Sequence, residues 1–459
     1  MKKAFLFLFL LYAPQRLFSQ TDFTKIFSLA LFSEAHSITQ TSDSGFIVCG
    51  TARDSSSAYF SKIFLLKLTR DGDSVWSKQF GGFNQPKIIG VCQFNSGDYL
   101  IGFDTHLSGI DYYLNFLLVD DNGDSLLAIP PDSTFSGGKL KMAKSENIYI
   151  AGSKGWYDNY GSFNSIALIR KYNKQLNKTW ESYVYPDGIG SSYANNVIPD
   201  DDENLLIGGG ISQGPQKPII QESDSSGNTS WYLTYSQAVL LECFGSGATV
   251  GKANNGILFS VSTYPPQKKL LINLDTTHNL LWKEEMPIYP EFFHQWNDKT
   301  ITLVDNNFRF LNVKEDGEAG GVNENYTLET SVSYDAIACM DESMIVAGTN
   351  CAGCSNHREV YIVKVSPSVV GIDDDYSTIF KDAGIRLFPI PADSKLSVEV
   401  PSPIESITFF SVSGNVSKMF NNLQGSIFEL DISDLANGMY LVSAFSNDNI
   451  YRGKLLVER

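Results

Sequence analysis

The chain has 459 residues and a formal net charge of -16, with 43% hydrophobic and 13% aromatic residues. This length exceeds one ordinary domain, and the apolar content is enough for a packed core, which excludes a disordered chain. The acidic balance leaves no basic surface to neutralise phosphates, so nucleic-acid binding is disfavoured. The 37 glycines and 22 tyrosines, without long helical periodicity, favour an all-β fold.

The N-terminus has the features of a secretory signal peptide. Lys2 and Lys3 precede an apolar run over residues 4–13, and a polar segment with the small Ser19 follows. We therefore predict a signal peptide over residues 1–20. The apolar run is too short to span a bilayer and no later stretch approaches the required length, so we predict no transmembrane segment.

A repeated pattern dominates the next 350 residues. Residues 63–76 contain an apolar strand, an Asp-Gly turn and a second strand that opens on an aromatic residue. Imperfect copies occur at residues 115–127, 166–180, 219–231, 270–282, 310–318 and, shortened, 360–365. Upstream of each copy lie two short strands, the second usually ending in glycine, as at Gly50. Seven units spaced 44 to 56 residues apart predict a seven-bladed β-propeller over residues 21–370.

The last repeat lacks a fourth strand, and the N-terminus offers one. Residues 23–27 align with residues 76–80, which form the fourth strand of the first repeat. We expect this first strand to complete the last blade, which removes two exposed sheet edges at once.

Successive connections in an antiparallel meander alternate between its two ends. The short Asp-Gly-type turns therefore share one face, here called the short-turn face. The long, dissimilar connections share the opposite face, here called the variable face, where we expect a ligand. Aromatic side chains suited to sugar rings or protein partners are predicted there, with packing inside the loops as the alternative. They are Tyr112, Tyr113, Trp156, Tyr157, Tyr160, Phe292 and Trp296.

Cys351 and Cys354, followed by His357, also fall in a connection of the variable face. Three ligands fall short of a closed zinc site, so in a secreted chain these cysteines predict a local disulfide. The Asp- and Asn-rich turns lack the later acidic ligand of a calcium loop and fit tight turns instead. We predict no metal and no cofactor.

After a predicted linker at residues 371–383, the repeat pattern ends. Residues 384–459 contain about seven short strands, as in a small β-sandwich. Six residues in this segment form a recognisable pattern by their order and spacing. They are Pro389, Pro391, Gly414, Gly438, Tyr440 and Lys454.

This segment resembles the type A C-terminal sorting domain of the type IX secretion system of Bacteroidetes. Ile390 between the prolines and Ala436-Asn437 before Gly438 depart from the usual pattern. The resemblance implies an Ig-like sandwich that the outer-membrane translocon recognises and that is usually cleaved off. It implies a secreted or cell-surface location, reached through the periplasm, and concerns delivery alone.

Catalytic motifs are sparse: there is no HExxH and no phosphate-binding glycine loop. Our first hypothesis is a secreted or surface β-propeller that binds an extracellular protein or glycan. The alternative is a polysaccharide hydrolase or lyase using the variable face, since a glycosidase needs only two carboxylates brought together by the fold. A purely structural repeat protein is a third possibility.

Overall fold

The repeated unit folds as an antiparallel meander of four strands, and seven such sheets follow one another along the chain. The computed structural model describes residues 22–54, 60–106, 112–133, 135–158, 160, 162–184, 191–211, 217–233, 238, 248–253, 256–263, 268–326, 331–350, 357–366, 386–388, 392–400, 403–411, 416–421, 423–445 and 450–457. The chain divides into two compact units, Met1–Ile372 and Asp373–Arg459.

The strands of the first unit are these, with the innermost strand of each blade given first. The chain begins with β1 (Phe23–Phe27). Blade one is β2 (Phe32–Gln40), β3 (Phe46–Arg53), β4 (Phe60–Leu68) and β5 (Ser74–Asn84). Blade two is β6 (Lys87–Gln93), β7 (Tyr99–His106), β8 (Tyr112–Val119) and β9 (Ser125–Ser133). Blade three is β10 (Ser136–Met142), β11 (Ile148–Tyr157), β12 (Phe163–Tyr172) and β13 (Lys178–Tyr183).

The remaining blades follow the same order. Blade four is β14 (Ser192–Pro199), β15 (Leu205–Ile211), β16 (Pro218–Ser223) and β17 (Thr229–Tyr232). Blade five is β18 (Ala248–Ala253), β19 (Gly256–Thr263), β20 (Lys268–Asp275) and β21 (Leu280–Glu285). Blade six is β22 (Phe292–Gln295), β23 (Ile301–Val304), β24 (Phe310–Val313) and β25 (Ala319–Asn323). Blade seven is β26 (Val332–Ala338), β27 (Met344–Asn350) and β28 (Glu359–Val365), completed by β1.

The hydrophobic core of this unit lies between blades. Seven buried clusters each combine side chains from two neighbouring blades, and one of them joins blade seven to blade one. The sheets therefore close into a ring, and the innermost strands surround a central channel. The predicted seven-bladed propeller is confirmed. A single blade buries only one side against each neighbour, which is why the ring must close for the core to be complete.

The predicted closing strand is also confirmed. Strand β1 pairs antiparallel with β28, from Phe23 opposite Lys364 to Phe27 opposite Val360. A Cβ at Gly72, in the turn after β4, would lie 2.7 Å from the Phe23 ring, so the ring packs directly on this turn. Gly72 has a φ of 81°, a backbone conformation that residues other than glycine rarely adopt.

The same contact recurs at other blades, where a tryptophan of the outermost strand packs on the third-to-fourth-strand turn of the next blade. Trp76 lies against Gly123, and Trp180 against Gly227. Trp231 stacks on His278 with ring centroids 4.0 Å apart. Phe23 of blade seven therefore occupies the same position as Trp76 of blade one, in agreement with their sequence alignment. These three tryptophans therefore pack between blades.

The second unit consists of two antiparallel sheets. One contains β29 (Arg386–Phe388), β30 (Lys395–Glu399) and β33 (Ile427–Asp431). The other contains β31 (Ser406–Ser411), β32 (Val416–Asn421), β34 (Gly438–Phe445) and β35 (Ile450–Val457). Leu396 and Val398 of the first sheet share a buried core with Phe409, Val442 and Leu455 of the second. The described residues of this unit form seven strands, in agreement with the prediction.

Candidate functional site

A β-bulge interrupts the innermost strand of blades one, two, three, four and seven. In four of these blades, a glycine of the second strand pairs with the last residue before the bulge. In three of them it is the glycine that ends the sequence repeat, and in blade four it is Gly209, the residue after the repeat glycine Gly208. A Cβ at any of these four positions would lie 2.0 to 2.4 Å from a carbonyl oxygen of the bulged strand, so only glycine fits. The four are Gly50, Gly152, Gly209 and Gly348. Blades five and six carry Ser260 and Val304 at the aligned positions and have no bulge.

Each bulge leaves one residue of the innermost strand without a cross-strand partner, and such residues are turned away from the regular ladder. Three of them, Gly138, Asn195 and Tyr334, line the central channel. The ring of a fourth, His36, packs against Tyr334 with centroids 4.7 Å apart. The glycine permits the bulge, and the bulge determines which side chains of the innermost strand reach the channel.

The innermost strands of blades three to seven enclose a channel cavity of about 540 Å³. This volume is typical of small-molecule sites. Its wall combines polar Asn195 and Thr249 with the aromatic rings of Phe292, His294 and Tyr334. A second cavity of about 380 Å³, on the short-turn side, is lined by blades one, two, three and seven and shares Lys141 with the first.

Three charged side chains meet at the centre of the channel. Lys139 of β10 and Asp335 of β26 form an ion pair, with Nζ and Oδ1 2.7 Å apart. The other carboxylate oxygen of Asp335 accepts hydrogen bonds from Ser37 Oγ at 2.9 Å and from the Ile38 amide at 3.1 Å. Burial opposes ionisation, but Lys139 and Lys141 outweigh it and keep the pKa of Asp335 below its ordinary value. Asp335 is therefore ionised, with an ion pair at one carboxylate oxygen and two hydrogen bonds at the other.

Two further titratable groups line the same cavity. Burial raises the pKa of Glu291, and the nearby negative charge of Asp305 adds to this. Burial lowers the pKa of His294, which favours the neutral imidazole at physiological pH. Among the described residues, no group of three or more His, Cys, Asp or Glu side chains could hold a metal ion.

Most of the predicted aromatic residues lie on two hairpins of neighbouring blades at the variable face. Trp156 and Tyr157 end β11 and are 46% and 56% exposed, while Tyr160 in the connecting turn is 93% exposed. Tyr112 and Tyr113 begin β8 of blade two. We expected these residues in long loops, but four of them lie in strands. The ladders continue past the body of each blade, pairing Tyr157 with Phe163 and Tyr112 with His106.

The two remaining aromatics lie elsewhere. Phe292 is part of the channel wall, with the Lys139 Nζ 5.7 Å from its ring centroid. The expected position of Trp296 on the variable face was wrong. Trp296 follows β22 in the turn to β23, on the short-turn face, and is 7% exposed. Its indole N–H donates to Thr302 Oγ1 at 2.8 Å, which explains its burial.

The Asp-rich turns cap their own backbones. Asp120 Oδ1 accepts from the amides of Asn122 and Asp124, and Asp224 Oδ1 accepts from the amides of Ser226 and Asn228. This is the geometry expected of Asx turns.

Only some of the predicted cysteine and sorting-motif residues are among those that the structure describes. Cys351 and Cys354 lie outside the described residues, whereas Cys49, Cys92 and Cys339 are buried free thiols. Pro389, Pro391 and Gly414 also lie outside them. Gly438 begins β34 with a φ of 150°, and the Tyr440 hydroxyl donates to the Ala436 carbonyl at 2.8 Å. Lys454 pairs with Leu441 in the β34–β35 ladder.

Comparisons with known proteins separate the two units. Residues 386–458 match the family model described as "Secretion system C-terminal sorting domain". No curated protein sequence matches the chain.

Solved structures with a similar arrangement have low sequence identity. A protein of unknown function from Dyadobacter fermentans is 12% identical, with a TM-score of 0.45, covering 74% of this chain and 98% of its own. The polysaccharide lyase Uly1 is 10% identical, with a TM-score of 0.46, covering 72% and 89%. PorZ, a surface component of the type IX secretion system of Porphyromonas gingivalis, is 8% identical, with a TM-score of 0.28, covering 93% and 81%.

Fold and family match together define a seven-bladed β-propeller protein with a C-terminal sorting domain. More specifically, it is a propeller protein exported by the type IX secretion system, and the sorting domain implies delivery to the outer surface or the medium. Within the described residues there is no helix with the length and apolarity needed to cross a membrane.

Proposed function

We propose that the mature propeller is a secreted or surface-displayed binding protein that takes up an extracellular glycan through its variable face. The observation that carries this proposal is the exposed aromatic hairpin of blade three. Trp156, Tyr157, Tyr160 and Phe163 are each at least 43% exposed. Exposing several large aromatic side chains on one hairpin is unfavourable in water, and such patches commonly serve binding.

Local contacts fix the turn of this hairpin and hold two of its rings together. Asp158 Oδ1 accepts from the amides of Tyr160 and Ser162, at 2.9 and 2.8 Å, which fixes the turn. The rings of Tyr157 and Phe163 meet edge to face, with centroids 5.8 Å apart. Rings fixed before binding lose little entropy when a ligand arrives. Flat aromatic faces offer a sugar ring apolar contact.

The test is binding of the purified chain to a panel of immobilised extracellular polysaccharides. We expect Trp156→Ala/Tyr157→Ala to weaken glycan binding at least tenfold without changing the melting temperature, because both side chains are exposed. The matched control is Tyr183→Ala, which removes a 53% exposed tyrosine from the outer strand of the same blade. Binding that is equal in the double variant, or found only with protein partners, would overturn the glycan proposal.

The alternative function, a polysaccharide hydrolase or lyase, requires groups free to react at the channel mouth. Asp335 and Glu291 come from different blades and line the same cavity, which supports keeping this alternative. Against it, both carboxylate oxygens of Asp335 already have close partners. Incubating each bound polysaccharide with the chain and assaying for new reducing ends distinguishes an enzyme from a binding protein.

A further inference from the structure

The centre of the channel holds two lysines but one aspartate. Lys139 and Lys141 are two residues apart on β10, so their side chains leave the same face of the strand, while Leu140 between them is buried. Both lysines lower the pKa of Asp335. Lys139 is its direct partner at 2.7 Å. These groups are two amines and one carboxylate, in a protein whose formal net charge is -16. Glu291, whose pKa is raised by burial, lies in the wall of the same cavity.

Lys141 has no hydrogen-bond or ion-pair partner among the residues that the structure describes, and it lines both channel cavities. The pKa of the Lys141 amine lies below its ordinary value. Burial and repulsion from Lys139 lower this pKa, and together they outweigh the attraction of Asp335, which raises it. Lys141 is half-buried, and an ammonium that is partly removed from water without a close counter-charge is costly. An anion entering the channel would supply the missing charge.

The walls of the cavity indicate which anion fits. Asn195, Thr249 and Tyr334 offer hydrogen bonds, while Phe292 and Phe293 offer apolar surface, a mixture suited to a sugar ring. With Lys139 already paired to Asp335, Lys141 is left to bind one carboxylate rather than a dianionic phosphate. We propose that the central channel is a binding site for an acidic sugar, with its carboxylate on Lys141 and its ring between the polar wall and Phe292.

This site is separate from the aromatic hairpin, so the two proposals can fail independently. The probe is a trimer of galacturonic acid, compared with its fully methyl-esterified form, which has nearly the same shape without the charge. Isothermal titration calorimetry on the mature chain should show the acid binding at least tenfold more tightly than the ester. Raising the salt concentration should weaken binding of the acid and leave binding of the ester unchanged.

Variants then test whether Lys141 supplies the positive charge that binds the carboxylate. Lys141→Met should reduce acid binding at least tenfold and remove the preference over the ester, while Lys141→Arg should retain part of it. Lys78→Met, which removes an exposed lysine paired with Asp124 on the propeller rim, should bind as the unaltered chain does.

The comparison of acid with ester uses the unaltered chain, so the proposal stays falsifiable even if Lys141→Met fails to fold. Equal binding of acid and ester, or no binding of either, would overturn it. Competition by acetate or sulfate as effective as that by the trimer would show a general anion site and would overturn the assignment to a sugar.

Discussion

Lys139 of blade three and Asp335 of blade seven form an ion pair across the central channel, with Nζ 2.7 Å from Oδ1. Three blade steps separate them, the largest separation that a ring of seven allows. Asp335 is 2% exposed and also accepts hydrogen bonds from blade one. The pair therefore connects three blades through one carboxylate.

Removing the lysine should destabilise the propeller. We expect Lys139→Met to lower the free energy of unfolding by about 2 to 3 kcal/mol, because Asp335 keeps its charge in a buried position without its nearest partner. Adding Asp335→Asn should recover part of the loss, since asparagine still accepts from Ser37 and Ile38. Urea unfolding measures both, with Lys144→Met, whose lysine is 79% exposed, as control. A Lys139→Met chain as stable as the control would contradict this account.

The repeat glycines should be irreplaceable where a bulge faces them. A Cβ at Gly348 would lie 2.1 Å from the Val332 carbonyl oxygen, so we expect Gly348→Ala to cost roughly 3 kcal/mol or to prevent folding, as expected for strong overpacking. At Gly321, in the outer strand of blade six, a Cβ would meet nothing within 4 Å. Gly321→Ala should change the melting temperature by no more than a few degrees. Similar losses in the two variants would argue against the bulge as the cause.

The closing strand should be needed for a stable ring. A chain that starts at Ser28 lacks β1, which leaves the edge of β28 unpaired and removes Phe23 from Gly72. We expect a lower melting temperature and self-association in gel filtration, compared with a chain that starts at Asp22. A synthetic peptide of residues 22–28 should partly restore the melting temperature. An unchanged, monomeric truncated chain would show that the ring closes without β1.

Glu203 should make the propeller sensitive to acid. It lies in the turn of blade four and accepts hydrogen bonds from Lys171 and Asn147 of blade three, at 2.8 and 3.0 Å. Burial raises its pKa, but the hydrogen bonds from Lys171, Ser145, Tyr149 and Asn147 outweigh this and lower the pKa to about 2. Because the folded-state pKa is below the ordinary value of 4.5, this stabilisation is complete above about pH 4.5 and is lost as the pH falls towards 2.

Glu203→Gln should therefore cost on the order of 2 kcal/mol at pH 7, and the difference from the unaltered chain should disappear near pH 2. Urea unfolding at several pH values measures this. Glu315→Gln, which alters an exposed pair with Lys299, should change little at any pH. A pH-independent difference for Glu203→Gln would show that packing, not charge, explains the loss.

Blade number, blade order and closure could be predicted from the sequence because they follow from local patterns. The spacing of Gly50 and its equivalents gave the count, and the likeness of residues 23–27 to residues 76–80 gave the closing strand. Sorting-domain motifs are equally local. Each of these features depends on a few neighbouring residues and on a period that repeats.

The channel site could not be predicted in the same way, because Lys139 and Asp335 are almost 200 residues apart and meet only when the ring closes. A usable signal did exist: the two lysines fall in the first strand of a repeat unit whose second strand carries the repeat glycine, Gly152. Trp296 was misplaced although the second strand of blade six could be aligned through Val304: it lies in the turn between β22 and β23, on the short-turn face.

The most direct test of the central claim, a propeller delivered outside the cell by its sorting domain, is the intact mass of the protein from medium and washed cells. Hosts with and without a working type IX translocon are compared. We predict loss of the N-terminal segment of about 20 residues and of the sorting domain, from about residue 384, only when the translocon works. A periplasmic chain that retains residues 386–458 in both hosts would contradict the account.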